Sequence, residues 1–93
     1  MTVTVKEYAG PRRLRLEVHQ KYLFTQELRK TKRYLPHEKG VPHLMLPDCL
    51  ITVSDGGKKQ EYGLYGHSIL HEPKSNKRWQ FYFGVLLLEW LYK

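Results

Sequence analysis

Basic side chains near the start of the chain are the residues whose chemistry is clearest. Residues 1–39 hold ten Lys and Arg against four Glu, whereas residues 40–93 hold six against five Asp and Glu. Lys and Arg neutralise phosphates and release their counterions, which gives affinity without sequence preference. The uneven charge therefore predicts one surface that meets a polyanion.

Nine residues make up the predicted nucleic-acid contact. Eight are basic, and five of these eight are Arg, whose planar fork matches the geometry of a phosphate. The ninth is a tyrosine among the basic residues, which can stack on a base or a ribose. The set comprises Arg12, Arg13, Arg15, Lys21, Tyr22, Arg29, Lys30, Lys32 and Arg33.

The histidines do not form a pattern typical of a metal centre. His67 and His71 are four residues apart and would share a face only on a helix, whereas Pro73 just after them favours a loop. His37 and His43 are six residues apart, with no third ligand in register. The sequence predicts no metal site, no cofactor and no catalytic residues.

Asp48 and Glu61 resemble a fragment of the PD-(D/E)xK nuclease pattern, because a hydrophobic strand and a turn lie between them. In that family a lysine stands two residues after the second acid, where this chain has Gly63, so Lys58 or Lys59 would have to substitute. The resemblance covers about sixteen residues. It would imply metal-dependent cleavage.

Arg29 and Arg33, in R-x-x-x-R spacing, and the later segment 52–57 (Thr-Val-Ser-Asp-Gly-Gly) resemble the two ligand-binding motifs of PilZ domains. Those domains bind a cyclic dinucleotide. Thr52 stands where the family has Asp or Asn, and only 60 residues follow Arg33, fewer than the usual barrel needs.

In size and charge the chain is also similar to small toxin ribonucleases of the RelE type. Those enzymes place Arg, Lys, Tyr or His on a sheet as acid and base for cleavage of messenger RNA. The resemblance would give such roles to Arg78, Tyr82 and His67. The order of elements differs, since a predicted hairpin precedes the helix here.

The basic residues fall on two predicted elements. Residues 2–8 and 12–19 alternate apolar and polar side chains on either side of Ala9-Gly10-Pro11, which predicts an N-terminal β-hairpin. Residues 20–35 sort better with a helical period, with the basic residues on one half of the wheel and Phe24 and Leu28 on the other. Pro36 predicts the end of this helix near Leu35.

The remaining patterns complete a small α+β fold. Residues 49–54 and 60–65 predict two strands joined by a turn at 55–57, and residues 78–83 alternate as a strand does. Residues 85–92 are apolar on most sides, so strand and helix remain open there. The prediction is one domain over residues 1–93, a mostly antiparallel sheet or partly open barrel with one amphipathic basic helix.

Bulk properties predict a cytoplasmic protein. No apolar run approaches the ~20 residues of a membrane span, and the N-terminus lacks the pattern of a secretory signal. The single cysteine, Cys49, is expected in the core. Trp90 and Tyr92 near the C-terminus would mark a protein–protein or homodimer interface if they were left exposed.

Three functional hypotheses follow from these observations. The first is a non-catalytic accessory protein that binds DNA or RNA through the hairpin and the basic helix. The second is a protein-binding module, an inhibitor or assembly factor, whose basic face docks on an acidic protein or competes with nucleic acid. The third is a small ribonuclease or a degenerate metal nuclease.

Overall fold

A computed structural model describes residues 1–36, 38–41 and 45–93. Within these ranges the chain forms seven strands and two helices. Their bounds are β1 Thr2–Glu7, β2 Arg13–Arg15, α1 Val18–Lys32, β3 Glu38–Lys39, β4 Cys49–Asp55, β5 Lys58–Tyr65, β6 Ile69–Glu72, β7 Lys77–Gln80 and α2 Gly84–Leu91.

All seven strands join one antiparallel sheet in the order β2-β1-β4-β5-β6-β7-β3. The N-terminal hairpin is confirmed, since β1 pairs with β2. The predicted hairpin of β4 and β5 is also present, with the turn at Gly56 and Gly57 in the left-handed conformation that glycine adopts readily. The outer strands β2 and β3 do not pair with each other, so the sheet is open. An antiparallel sheet with two helices confirms the predicted α+β fold.

The two faces of the sheet differ in composition because side chains alternate along each strand. Register places Val5, Ile51 and Tyr62 side by side on one face, where all three are buried. Both helices pack on this core face, through Phe24 of α1 and Leu87 of α2. On the open face, opposite the helices, register aligns a second row of side chains: Arg13, Lys6, Leu50, Gly63, His71 and Arg78.

Helix α1 begins two residues before the predicted start and ends three residues before the predicted end. The sequence lacks the usual Ser, Thr, Asp or Asn cap, but the Gln20 side-chain oxygen accepts a hydrogen bond from the Glu17 backbone N–H at 2.9 Å. At its other end the helix stops at Lys32. Tyr34 and Leu35 follow it and are 72% and 91% exposed. The helix does not reach its predicted end near Leu35, so the helical period does not apply to these two residues.

Of residues 85–92, which the sequence left open between strand and helix, all but Tyr92 belong to α2. Its buried positions, Gly84, Leu87, Leu88 and Leu91, follow helical spacing against the sheet. Gly84 permits the close approach of this helix. A Cβ there would lie 2.5 Å from the carbonyl oxygen of His67 and 2.7 Å from Leu64 Cδ1.

The core joins both helices to the sheet. The rings of Phe24 and Phe81 meet edge to face at 6.1 Å. Cys49 is fully buried, as the sequence predicts. Burial, aided by the nearby Asp48 carboxylate, raises the pKa of its thiol to about 12, so the thiol stays protonated at neutral pH.

Candidate nucleic-acid interface

Four of the nine predicted contact residues share the solvent-facing side of α1. This outer face of α1 consists of Tyr22, Gln26, Arg29, Lys30 and the C-capping Arg33, all exposed. Gln26 Nε2 donates to the Tyr22 hydroxyl at 2.9 Å, and Lys30 lies 3.9 Å from a Glu27 oxygen. The side chains of Arg29 and Arg33 have no hydrogen bond or ion pair with any described residue. Both guanidinium groups are thus available to an anion.

Two other predicted contacts, Lys21 and Lys32, are bound within the fold. Lys21 Nζ donates to the backbone oxygen of Met1 at 3.0 Å. Lys32 Nζ lies 2.8 Å from a Glu72 carboxylate oxygen and donates to the Tyr62 hydroxyl at 3.2 Å. It also lies 5.6 Å from the centre of the Trp79 ring. Lys32 therefore ties α1 to the core face of the sheet.

The contacts within this cluster shift the pKa values of Lys32, Glu72 and Tyr62 away from neutral pH. Burial alone would lower the pKa of Lys32, but its hydrogen bonds to Glu72 and Tyr62 outweigh that effect and raise it. Burial would raise the pKa of Glu72, yet the bonds from Lys32 and from Ser75 lower it overall. Burial raises the pKa of Tyr62, so its hydroxyl remains a donor. It donates to Gln60 Oε1 at 2.9 Å.

The three hairpin arginines do not lie beside the outer face of α1. Because Leu14 faces the core, Arg13 and Arg15 point to the open face, on the side of the sheet opposite the helices. The guanidinium of Arg12 lies 4.5 Å from the centre of the Tyr92 ring and 3.9 Å from a Glu7 oxygen. The structure therefore does not bring the nine residues onto one surface.

A groove runs between α1 and the tip of the β4–β5 hairpin. It has a volume of about 540 Å³. Its rim carries Arg29, Arg33 and Lys58, with one carboxylate from Asp55. The full lining of this basic groove is Met1, Thr25, Leu28, Arg29, Lys32, Arg33, Val53, Asp55, Lys58, Gln60 and Tyr62.

Lys58 lines the groove but was not among the nucleic-acid contacts predicted from the sequence. The charge count directed attention to the first 39 residues, and Lys58 lies in the half of the chain that is nearly neutral. A usable signal was present, since Lys58, Gln60 and Tyr62 alternate on one face of β5. Only the packing of α1 on that face makes Lys58 a neighbour of Arg29 and Arg33.

The carboxylates of the nuclease-like fragment do not converge. Register pairs Cys49 with Leu64 and Thr52 with Glu61, so Asp48 and Glu61 lie four residues apart along the sheet, roughly 13 Å. One metal ion with ligands at about 2.0–2.6 Å would not be shared by both. The part of the chain that the structure describes contains no group of three His, Cys, Asp or Glu residues placed to hold a metal.

The three residues of the toxin-like resemblance are also dispersed. Arg78 lies on β7 opposite His71, whereas His67 lies in the turn between β5 and β6 and Tyr82 follows β7. His71 itself is buried, with its Nε2 3.0 Å from the Asn76 side-chain oxygen. His37 and His43 lie outside the described residues.

The PilZ-like motifs do meet in part. Arg29, Arg33 and Asp55 line the same basic groove. Thr52 and Ser54, at the defining positions of the second motif, alternate with Val53 and so face the opposite side of the sheet. The arginine pair belongs to the end of a helix.

Trp90 packs within the molecule, whereas Tyr92 remains exposed. Trp90 is partly buried and packs edge to face on Phe83 at 5.6 Å. Tyr92 is 46% exposed, with Arg12 over its ring. Nothing in the described structure tests their predicted role in a protein interface.

Comparison with known proteins identifies no relative: no family model, no curated protein and no solved structure matches the chain. Among the described residues, neither helix has the length and apolar character that crossing a membrane requires. The chemistry of the surfaces is therefore the basis on which a function can be argued.

Proposed function

We propose that this protein is a non-catalytic accessory factor that binds nucleic acid through phosphate contacts from the outer face of α1 and the rim of the basic groove. One observation supports this most strongly. Arg29 and Arg33 are one helical turn apart, exposed and unpaired among the described residues, and they share a groove with Lys58.

The chemistry of this set suits a phosphodiester chain. Each arginine offers a bidentate fork, and Lys58 approaches from the other wall of the groove. Lys30 on the outer face of α1 adds a fourth charge. Four contacts on a single strand correspond to a log–log salt slope of about −3, from about −0.7 for each phosphate.

A salt titration with a labelled mixed-sequence oligonucleotide tests the proposal. The double variant Arg29→Gln with Arg33→Gln should weaken binding and make the slope shallower by about 1.4, because two counterion-releasing contacts are lost. The matched control is Arg13→Gln with Arg15→Gln, which removes the same charge from the open face of the sheet. Equal losses in both variants would mean that net charge, and not this site, governs binding.

An acidic protein partner is the second candidate. Tyr34 and Leu35 directly follow Arg33 and are 72% and 91% exposed, and Tyr and Arg side chains together are typical of interface hot spots. This candidate predicts that Leu35→Ser weakens binding to the partner and leaves oligonucleotide binding unchanged. It would replace the first proposal if wild-type protein bound no oligonucleotide at low salt.

A further inference from the structure

We infer that the basic groove holds one unpaired nucleotide of the bound strand, so that the protein prefers single-stranded nucleic acid to a duplex. This inference rests on the proposed nucleic-acid-binding function and assigns it a substrate class.

The groove has the size and floor that a base requires. Its volume of about 540 Å³ lies within the range of ~300–1,000 Å³ typical of small-ligand sites. Leu28 and Val53 line the groove and are partly buried against the core, so they form its apolar floor. A flat base with an apolar face buries more of its surface there than an extended phosphate chain would.

The basic side chains around the groove complement the phosphate of a nucleotide. Arg29 and Arg33 line the helix wall and Lys58 lines the hairpin wall, so cations approach the groove from both sides. Asp55 is the one carboxylate near them in the described lining. A phosphate at the rim and a base on the floor match this arrangement.

A hydrogen-bond chain orients a polar group inside the groove. Lys32 donates to the Tyr62 hydroxyl, which donates to Gln60 Oε1. Gln60 lines the groove, and its amide N–H groups can donate to an acceptor on a base edge. The chain begins at the Lys32–Glu72 ion pair, so the donor is held in place before a ligand arrives.

A base within a duplex cannot reach the floor of such a groove. Its edges are paired and its faces are stacked, and it must be unstacked and turned out before it enters a pocket. A single strand does not incur most of that cost. The physical expectation is therefore a preference for single strands, beyond the phosphate contacts common to both forms.

The test compares a fluorescein-labelled 15-nucleotide single strand with the duplex of the same sequence across one salt titration. Wild-type protein should bind the single strand about tenfold or more tightly, because a duplex must first unpair and unstack the base that enters the groove. Thr25→Trp, which fills the groove from α1 without changing charge, should remove this preference and leave the salt slope unchanged. The matched control, Thr4→Trp, adds the same side chain to the open face.

The outcomes separate the inference from the function on which it rests. Equal affinity of wild-type protein for both probes would overturn the groove assignment and leave phosphate binding standing. Binding of neither probe at low salt would overturn both. If Thr25→Trp proves unfolded by circular dichroism, Gln60→Ala replaces it, and an unchanged single-strand preference in that variant counts against the groove.

Discussion

Replacing Lys32 by Met should destabilise the fold while leaving the salt slope of oligonucleotide binding unchanged. Sequence reasoning placed Lys32 among the phosphate contacts, but its ammonium group is committed to Glu72 and Tyr62. Met keeps much of the aliphatic stem and removes the charge. The variant therefore separates a structural lysine from a ligand-binding one.

The expected loss in the free energy of unfolding is about 1–2 kcal/mol. The side chains of Lys32 and Glu72 are 32% and 15% exposed, so the pair lies between a surface ion pair, worth about 0–1 kcal/mol, and a broken buried pair, which costs about 3–5 kcal/mol. Glu72 keeps its hydrogen bond from Ser75 in the variant, which limits the cost. A double-mutant cycle with Glu72→Gln should give a coupling of about 1 kcal/mol.

The pH dependence follows from the directions of the two pKa shifts. The raised pKa of Lys32 gives stability that is complete below the ordinary value of 10.5 and is lost as pH rises through the folded-state pKa. The lowered pKa of Glu72 gives stability that is complete above the ordinary value of 4.5 and is lost as pH falls through its folded-state pKa. The difference between wild type and Lys32→Met should thus be greatest between these two values.

Urea unfolding at pH 7 and at pH 3, followed by tryptophan fluorescence, measures these quantities, since Trp79 lies beside Lys32. Lys30→Met is the matched control, because its side chain is 68% exposed and only loosely paired. A coupling below about 0.3 kcal/mol, within the range of independent sites, would refute the structural role. So would a shallower salt slope after Lys32→Met.

Two further predictions concern the packing of the helices. Gly84→Ala should lower the free energy of unfolding by about 1–3 kcal/mol, because the added Cβ would lie 2.5 Å from the His67 carbonyl oxygen. This loss outweighs the better helix propensity of Ala. A melting temperature at or above that of wild type would contradict the close packing of α2. Phe24→Asp should unfold the domain, since a charge would enter a site that is 1% exposed and packed on Phe81. The control Tyr22→Asp, at a position 61% exposed on the same helix, should remain folded by circular dichroism, and a folded Phe24→Asp protein would refute the orientation of α1.

Local sequence patterns predicted an element correctly where its apolar side chains follow one clear period, that of a strand or that of a helix. Alternation in residues 2–8 and 12–19 predicted the hairpin, and helical spacing around Phe24 predicted α1. The start of α1 was harder, because its cap uses Gln20 and not a short polar side chain at the cap position. Residues 85–92 could not be assigned from sequence, since a continuous apolar run shows no period; packing against the sheet decides which of its side chains are buried.

The candidate site likewise depends partly on local sequence and partly on the tertiary structure. The sequence by itself determined that the chain is basic, that Arg29 and Arg33 are one helical turn apart, and that Arg13 and Arg15 share one side of a strand, because these are local facts of composition and spacing. Only the tertiary structure decided that the two arginine pairs lie on opposite sides of the sheet and that Lys58 completes the groove. Both depend on which face of the sheet the helices cover, and that choice is made by burial of residues far apart in the chain.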